Sequence, residues 1–356
     1  MLRICYFGIY DPEFSRNKIY MRGLRENGVD IIECSDRGRG LRKFWNLFFK
    51  HWHLRNKYDV MIVGYPGYII VPFARLITKK PVVFDALCSF YEAQIISRNA
   101  YAGIPFRIAY VRFIDWLANI CADLIFVETD KQRQYYIDTL GVPEKKVYRV
   151  LIGVDDHDFY FDSSVRKNER FTVIFRGRLT KEAGVRHILD AAKILEGRGV
   201  DFVIAGFGFG DVIQELENKL ALLKLSNVTL IPRQLPIADI RSLMLRSHIS
   251  LGQFEDNERL KRTIPHKAFE SLAMRLPYIT ANTEGVLGVL KDGENCLMVR
   301  KADPAHLAEK ILFLKNNPSF QKRLIEEGVK TYRTMFTPKI LGSEIYRAIS
   351  GLVSKK

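Results

Sequence analysis

The sequence predicts an α/β protein built from two doubly wound domains in tandem. Three observations predict it. At 356 residues the chain is longer than one ordinary domain and suits two. Short apolar or β-branched runs alternate with longer helical patterns along its length, the order required by parallel sheets covered with helices. A polar connector at 155–170, rich in Asp, Ser, Lys, Asn and Arg, interrupts the alternation.

In the first half, strands are expected at 2–8, 30–34, 59–64, 81–86, 124–128 and 147–152. Val60-Met61-Ile62-Val63 is apolar throughout, as suits a parallel strand covered on both faces. Helices are expected at 14–27, 41–57, 66–79, 106–122 and 131–140. The series then restarts, with strands at 172–175, 201–206, 228–232, 249–254, 278–281 and 296–299. Helices follow at 185–196, 211–223, 238–246, 265–275, 304–315 and 320–331, with a terminal helix at 339–352. The expected domains are 1–160 and 161–335, with 336–356 packing back on the first. Two such domains would face each other across a cleft, the default place for a ligand.

Hydrophobic residues make up 47% and charged ones 27%, which excludes wholesale disorder. Lys plus Arg is 55 against 40 for Asp plus Glu, a net charge of +15. That excess predicts an anionic partner: nucleic acid, anionic lipid or a phosphorylated substrate. Cys5, Cys34, Cys88, Cys121 and Cys296 are scattered, without a C-x-x-C pair, which argues for a reducing compartment and against a structural zinc site. The longest uncharged stretch, 60–74, is broken by Gly64, Pro66, Gly67 and Pro72, and no run reaches the roughly 20 apolar residues that span a bilayer. The N-terminus reads as a strand rather than a signal peptide. A soluble or peripheral protein is expected.

Three segments carry candidate chemistry. Phe175-Arg176-Gly177-Arg178-Leu179 ends a strand, so its two arginines and Lys181 could face a shared anion; a solvated basic loop fits the same residues. Gly206-Phe207-Gly208-Phe209-Gly210 links a strand to a helix. Glycines there admit close backbone approach, and a helix amino end favours an anion. The motif follows the second strand of its series and has its third glycine one place early, so dinucleotide binding is disfavoured and a plain tight turn is equally consistent. In 261–274, Pro265 suits the first turn of a helix. Lys261, Arg262 and Lys267 gather around its electropositive end, and Glu270, one turn in, is placed to accept from a ribose diol.

The second half resembles the nucleotide-binding half of family-4 (group 1) retaining glycosyltransferases of the GT-B fold. Its landmarks occur in order: Gly177-Arg178-Leu179; Ala205-Gly206-Phe207-Gly208; Val228-Thr229-Leu230 with Leu235-Pro236; Pro265-x-Lys267-x-Phe269-Glu270-x-Leu272-Ala273; Pro277-Tyr278-Ile279; and Lys291-Asp292-Gly293-Glu294-Asn295. Phe7-Gly8-Ile9-Tyr10-Asp11-Pro12 with Ser15-Arg16-Asn17, and Gly64-Tyr65-Pro66-Gly67, extend the resemblance to the first half. It implies two Rossmann-like domains and a donor diphosphate held by Arg178. The family's lysine position is Ala183 here, so Lys181 or Lys267 would replace it. Glu270 matches the second glutamate of Glu-x7-Glu, whose first position is Arg262. The family's acceptor-side histidine has no match, and Asp85 is the substitute.

The resemblance implies retaining, metal-independent transfer of a sugar from a nucleotide-diphosphate sugar, with no cofactor. Arg178, Lys267 and Asp85 are the candidate catalytic residues. Arg176, Gly177, Lys181, Gly206, Gly208, Arg233, Lys261 and Glu270 are the candidate donor contacts, and Gly8, Arg16 and Asn17 the acceptor contacts. Cationic groups and helix N–H groups would stabilise charge growing on the leaving diphosphate, and the leaving phosphate can itself take the acceptor proton. Rival readings are an epimerase or hydrolase of the same fold, a donor-binding protein without catalysis, and a nucleic-acid-binding protein, for which no recognition motif is present.

The segment 41–54 completes the reading. At about 100° per residue, Leu41, Phe44, Trp45, Leu47, Phe48, Phe49 and Trp52 share one broad face, opposite Arg42, Lys43, Asn46, Lys50 and His53. No acidic residue occurs in 37–57. Phe44, Trp45, Phe48, Lys50 and Trp52 are therefore expected to meet an anionic membrane surface, although a helix packed on the sheet fits too. The expectation is a cytoplasmic protein of glycan biosynthesis, peripheral on the inner face of the plasma membrane, with a lipid-linked acceptor and no nucleic-acid partner.

Overall fold

The computed structural model describes residues 1–96, 104–208 and 210–353. The chain divides into two compact units, Met1–Asp155 with Met335–Lys356, and Asp156–Thr334. Unit 1 contains β1 (Arg3–Gly8), β2 (Asp30–Ser35), β3 (Val60–Val63), β4 (Val82–Leu87), β5 (Leu124–Val127) and β6 (Val147–Arg149). All pair in parallel, in the order β2-β1-β3-β4-β5-β6. The connecting helices are α1 (Ser15–Glu26), α2 (Arg42–Trp52), α3 (Ile70–Ile77), α4 (Pro105–Cys121) and α5 (Asp130–Asp138).

One core cluster joins Leu47 of α2, Ile70 and Ala74 of α3, Ile114 and Ala118 of α4 and Tyr136 of α5 to Phe7, Val63, Phe84 and Val127. These four helices therefore cover the same face of the sheet, as right-handed crossovers advancing from β2 to β6 require. Helix α3 starts later than its apolar pattern suggests. A Cβ on Gly67 would lie 2.6 Å from Val63 Cγ1 and 3.0 Å from the Gly64 carbonyl oxygen, so the chain doubles back there before the helix begins.

Unit 2 repeats the plan with β7 (Phe171–Arg176), β8 (Val200–Ala205), β9 (Val228–Ile231), β10 (Ile249–Leu251), β11 (Tyr278–Ala281) and β12 (Leu297–Val299), in the order β12-β11-β10-β7-β8-β9. Counted from β7 this is the 3-2-1-4-5-6 order of doubly wound sheets, and the strand order reverses between β7 and β10. Its helices are α6 (Val185–Ile194), α7 (Val212–Leu223), α8 (Ile237–Arg246), α9 (His266–Ala273), α10 (Pro304–Asn316) and α11 (Pro318–Met335).

The last helix, α12 (Pro338–Val353), returns to unit 1 and packs on α1. Two glycines make the approach possible. A Cβ on Gly23 would sit 2.0 Å from the Pro338 carbonyl oxygen, and one on Gly342 would sit 2.0 Å from that of Gly23. Asn27 adds a hydrogen bond from Nδ2 to the Lys339 carbonyl, 2.8 Å.

Candidate functional site

The candidate site lies at the carboxyl end of β7, beside the point where the unit 2 strand order reverses. From Thr172 to Arg176 every residue of β7 is buried. The strand stops at Gly177, whose φ of +118° needs no side chain. The turn after β8 closes on the same point, since a Cβ on Gly206 would lie 1.7 Å from the Gly177 carbonyl oxygen. Backbone bonds then fasten the two loops: Gly177 N–H donates to Ala205 O at 2.9 Å and Leu179 N–H to Phe207 O at 2.7 Å. Gly208 pairs with Leu179 in an isolated parallel bridge. Phe209 lies outside the described residues.

Helix α9 brings the second half of the site. Pro265 stands at its N-cap with extended backbone, and Lys267 through Ala273 are all buried. Lys267 Nζ lies 4.0 Å from the centre of the Phe175 ring and points toward Gly177, whose missing Cβ would be 3.7 Å from it. One turn on, Glu270 Oε2 accepts from Arg176 Nη2, while the Arg176 guanidinium stacks 5.1 Å over Phe159. No carboxylate is hydrogen-bonded to Lys267 among the described residues. Burial, reinforced by the Arg176 charge and only partly offset by Glu270, pulls its ammonium down to about 7. The site is thus a buried, cation-rich pair of side chains beside glycine backbone, which fits a phosphate group better than a neutral ligand.

Arg176, Gly177, Gly206, Lys267 and Glu270 are brought together here. Arg178 is exposed on the same turn, with its guanidinium 5.7 Å over the Phe207 ring. Lys181 instead lines a cavity of about 400 Å³ with Thr180, Arg186, Val212, Leu216 and Glu255, between the starts of α6 and α7. Lys261 is engaged by Glu258 at 2.5 Å in a short 3-10 turn, and Arg233 is exposed on the turn after β9. Ala183 has no exposure and belongs to the unit 2 core, so that position offers no charge to a ligand. The flat rings of Phe159 and Phe175 were not foreseen. Phe159 sits in the polar connector, where nothing in the sequence marks it.

In unit 1 the structure buries Arg16, Asp85 and Asn17. Arg16 and Asp85 have no exposure and face each other, Nε to Oδ1 at 2.7 Å. Arg16 also donates to the Val150 carbonyl at 3.3 Å and lies 4.5 Å over the Tyr20 ring. Arg16 and Asp85 therefore meet as a buried ion pair in this structure. Asn17 is likewise fully buried, donating to the carbonyls of Asp11 and Tyr65 at 3.0 and 2.9 Å and accepting from Tyr6 OH and Tyr65 N–H. It fastens the loops after β1 and β3 to each other. Gly8, at the end of β1, is buried as well.

The broad apolar face of α2 also divides. Leu47 is fully buried, and Phe44 turns inward, edge-on to Phe73 at 5.3 Å, so Phe44 is a core contact rather than an outward one. Phe48 is half-buried against Phe49 and Trp52. Trp45 and Trp52 are exposed, as is Lys50, whose Nζ donates to the Ser35 carbonyl at 2.7 Å. No described helix is long and apolar enough to cross a membrane.

Comparison with known proteins agrees with this architecture. The family model described as glycosyl transferases group 1 matches residues 156–331, nearly all of unit 2. The capsular polysaccharide biosynthesis glycosyltransferase CapM of Staphylococcus aureus is 21% identical over 290 residues, 78% of this chain and 72% of that protein. Among solved structures, Anabaena HepE in complex with UDP superposes with a TM-score of 0.75 at 14% identity, over 99% of this chain and 100% of that one. The same protein has also been solved with UDP-glucose. Sucrose-phosphate synthase from Thermosynechococcus elongatus gives a TM-score of 0.75 at 11% identity, over the full length of both chains. Residues 156–331 form a group 1 glycosyltransferase domain, and the chain has the GT-B fold.

Proposed function

We propose that this protein transfers a sugar from a nucleoside-diphosphate sugar to a hydroxyl of a lipid-linked glycan or lipid acceptor at a membrane surface, with retention of anomeric configuration. The observation that carries the donor half is Lys267, buried beside Gly177 with no carboxylate hydrogen-bonded to it among the described residues. A pyrophosphate is the group that would complete it. The bound UDP and UDP-glucose of HepE support the same class of donor, and the capsular polysaccharide role in the name of CapM supports a glycan product.

In this reading Lys267 and Arg178 hold the diphosphate, and Glu270, anchored by Arg176, accepts from the ribose. As the bond between the anomeric carbon and the phosphate oxygen breaks, the electron pair goes to that oxygen. Lys267 and Arg178 stabilise the growing charge. The acceptor hydroxyl attacks the same face of the anomeric carbon, and its proton passes to the departing phosphate oxygen. The buried Lys267 meets that charge at low local dielectric, where it acts more strongly than in water.

The test is calorimetric titration of a panel of nucleoside diphosphates with wild type, Arg178→Ala and Glu270→Gln. One diphosphate should bind, and each variant should weaken it by about 1.5–3 kcal/mol, the usual loss when one charged hydrogen-bond partner is removed. Equal affinity in all three proteins overturns the assignment. Diphosphate binding without sugar transfer to any lipid extract would instead identify a donor-binding protein, a reading that Ala183 and Arg262 keep in play through their departure from the family pattern.

A further inference from the structure

Helices α2, α3 and α4 share one face of the unit 1 sheet, and their outer surfaces carry apolar side chains with nothing packed on them among the described residues. On α4, Phe106, Tyr110, Phe113, Trp116 and Ile120 are all exposed, Phe106 to 81%. Their spacing of three and four residues makes a continuous stripe along one side of the helix. Val111, Ile114 and Ala118 on the opposite side are buried. On α3, Leu76 is 85% exposed; Leu41 at the N-cap of α2, and Trp45, Phe49 and Trp52 on that helix, are exposed too. The chain has three tryptophans, Trp45, Trp52 and Trp116, and all are exposed on this helix layer. Isolated exposed apolar residues need no explanation, but a patch shared by three neighbouring helices does.

The charge around the patch is predominantly positive, although Asp36 meets Lys50 at 3.4 Å and Asp123 meets Arg75. Neither 37–58 nor 60–84 contains an acidic residue, and Arg42, Lys50, Arg55, Lys57, Lys79 and Lys80 are exposed there. Helix α4 adds exposed Arg107 and Arg112. Its one carboxylate, Asp115, turns inward to accept the backbone N–H groups of Phe90 and Tyr91 at 2.7 and 2.9 Å. Near the end of α2 the Arg55 guanidinium stacks 3.9 Å over Trp52, and Trp52, His53, Arg55, Asn56 and Lys57 line a cavity of about 320 Å³.

We infer that the outer surface of α2, α3 and α4 is one docking face for an anionic bilayer, with the α4 stripe Phe106–Tyr110–Phe113–Trp116 seated among the acyl chains and the basic residues at the headgroup level. This deepens the membrane part of the proposed function and rests on it. Large aromatics with cations around them are what an interfacial surface uses: the rings enter the boundary and the cations meet acidic headgroups. A second copy of the chain is a poorer occupant, because a self-complementary contact would set one cationic rim against another.

The test uses the full chain carrying Trp45→Phe and Trp52→Phe, which leaves Trp116 as its one tryptophan. Vesicles of equal phosphatidylglycerol and phosphatidylcholine at low salt should shift its emission to the blue, and brominated lipid should quench it; pure phosphatidylcholine should do neither. In the wild-type background, Phe106→Ser with Phe113→Ser should lower vesicle partitioning by at least about tenfold, with the melting temperature unchanged because both rings are exposed. If the protein sediments with acidic vesicles but Trp116 neither shifts nor is quenched, the α4 face is overturned while α2 docking stands. Failure to sediment at all overturns both. A spectral shift without lipid, accompanied by dimers in sedimentation equilibrium, overturns it in favour of a protein contact.

Discussion

At the carboxyl end of β4 in unit 1, Asp85 meets Arg16 at 2.7 Å with neither side chain exposed. At the carboxyl end of β7 in unit 2, Arg176 meets Glu270, and Lys267 stands beside them with no carboxylate hydrogen-bonded to it among the described residues. Both units are six-stranded parallel sheets, so topology alone does not set the difference. In unit 1 these two buried charges neutralise each other. Unit 2 leaves a cation over, beside glycine backbone that a ligand can approach. The same edge of the fold thus serves as scaffold in one unit and as candidate site in the other, and the balance of charge tells them apart.

The largest effect that would break this comparison is in unit 1. Asp85→Ala strands Arg16 in the core without its anion and should destabilise the protein by about 3–5 kcal/mol, read as a lower urea midpoint. The folded fraction should still bind nucleoside diphosphate normally. A loss below about 1 kcal/mol, or a selective loss of binding, would return Asp85 to the site.

Lys267→Met should do the reverse. Affinity for the nucleoside diphosphate should fall about ten- to hundredfold, the value of one charge-assisted contact. The melting temperature should hold or rise, because the variant removes a buried cation that the empty protein cannot pair. If melting temperature falls and binding does not, Lys267 is scaffold, like Arg16.

The smallest effect is a pH dependence. Burial and Arg176 hold the Lys267 ammonium near 7 in the empty site, and a bound diphosphate would raise it. Below about pH 7 the lysine is already charged and binding takes up no proton. Above it, binding must draw one in, so affinity should weaken with rising pH, by at most about tenfold per unit. Calorimetry in buffers of different ionisation enthalpy should show the uptake, and Lys267→Met should abolish it. The stability sign is opposite. A folded value below the unfolded one, about 10.4, means the unfolded chain binds more protons between the two, so this residue's contribution to stability rises with pH across that window. A flat affinity profile would mean that Lys267 keeps one protonation state throughout.

Much of the fold was legible because strands in parallel sheets are short, apolar and bounded by glycine or polar turns. Val60-Met61-Ile62-Val63 needed no context to be placed, and β11 falls at 278–281 as expected. The site was legible in part. Gly177, Gly206, Lys267 and Glu270 stand out because each has a backbone or charge reason for its identity. The burial of Arg16, Asn17 and Asp85 was not legible, because a charged or polar residue after a strand reads the same whether it faces solvent or a buried partner. Phe44 and Trp45 differ by one residue on a helix, yet one meets Phe73 and the other is 66% exposed.

The sequence by itself determined the order of strands and helices, the break between two α/β units, the surplus of positive charge and the glycine-framed turns of unit 2. These are local or additive properties, set by period, turn chemistry and composition. The tertiary structure alone decided which charges cancel. It paired Arg16 with Asp85 across 69 positions and Arg176 with Glu270 across 94. It laid the aromatic rows of α2 and α4 on a common surface. Such outcomes depend on which side chains share a small volume, and no local pattern carries that information.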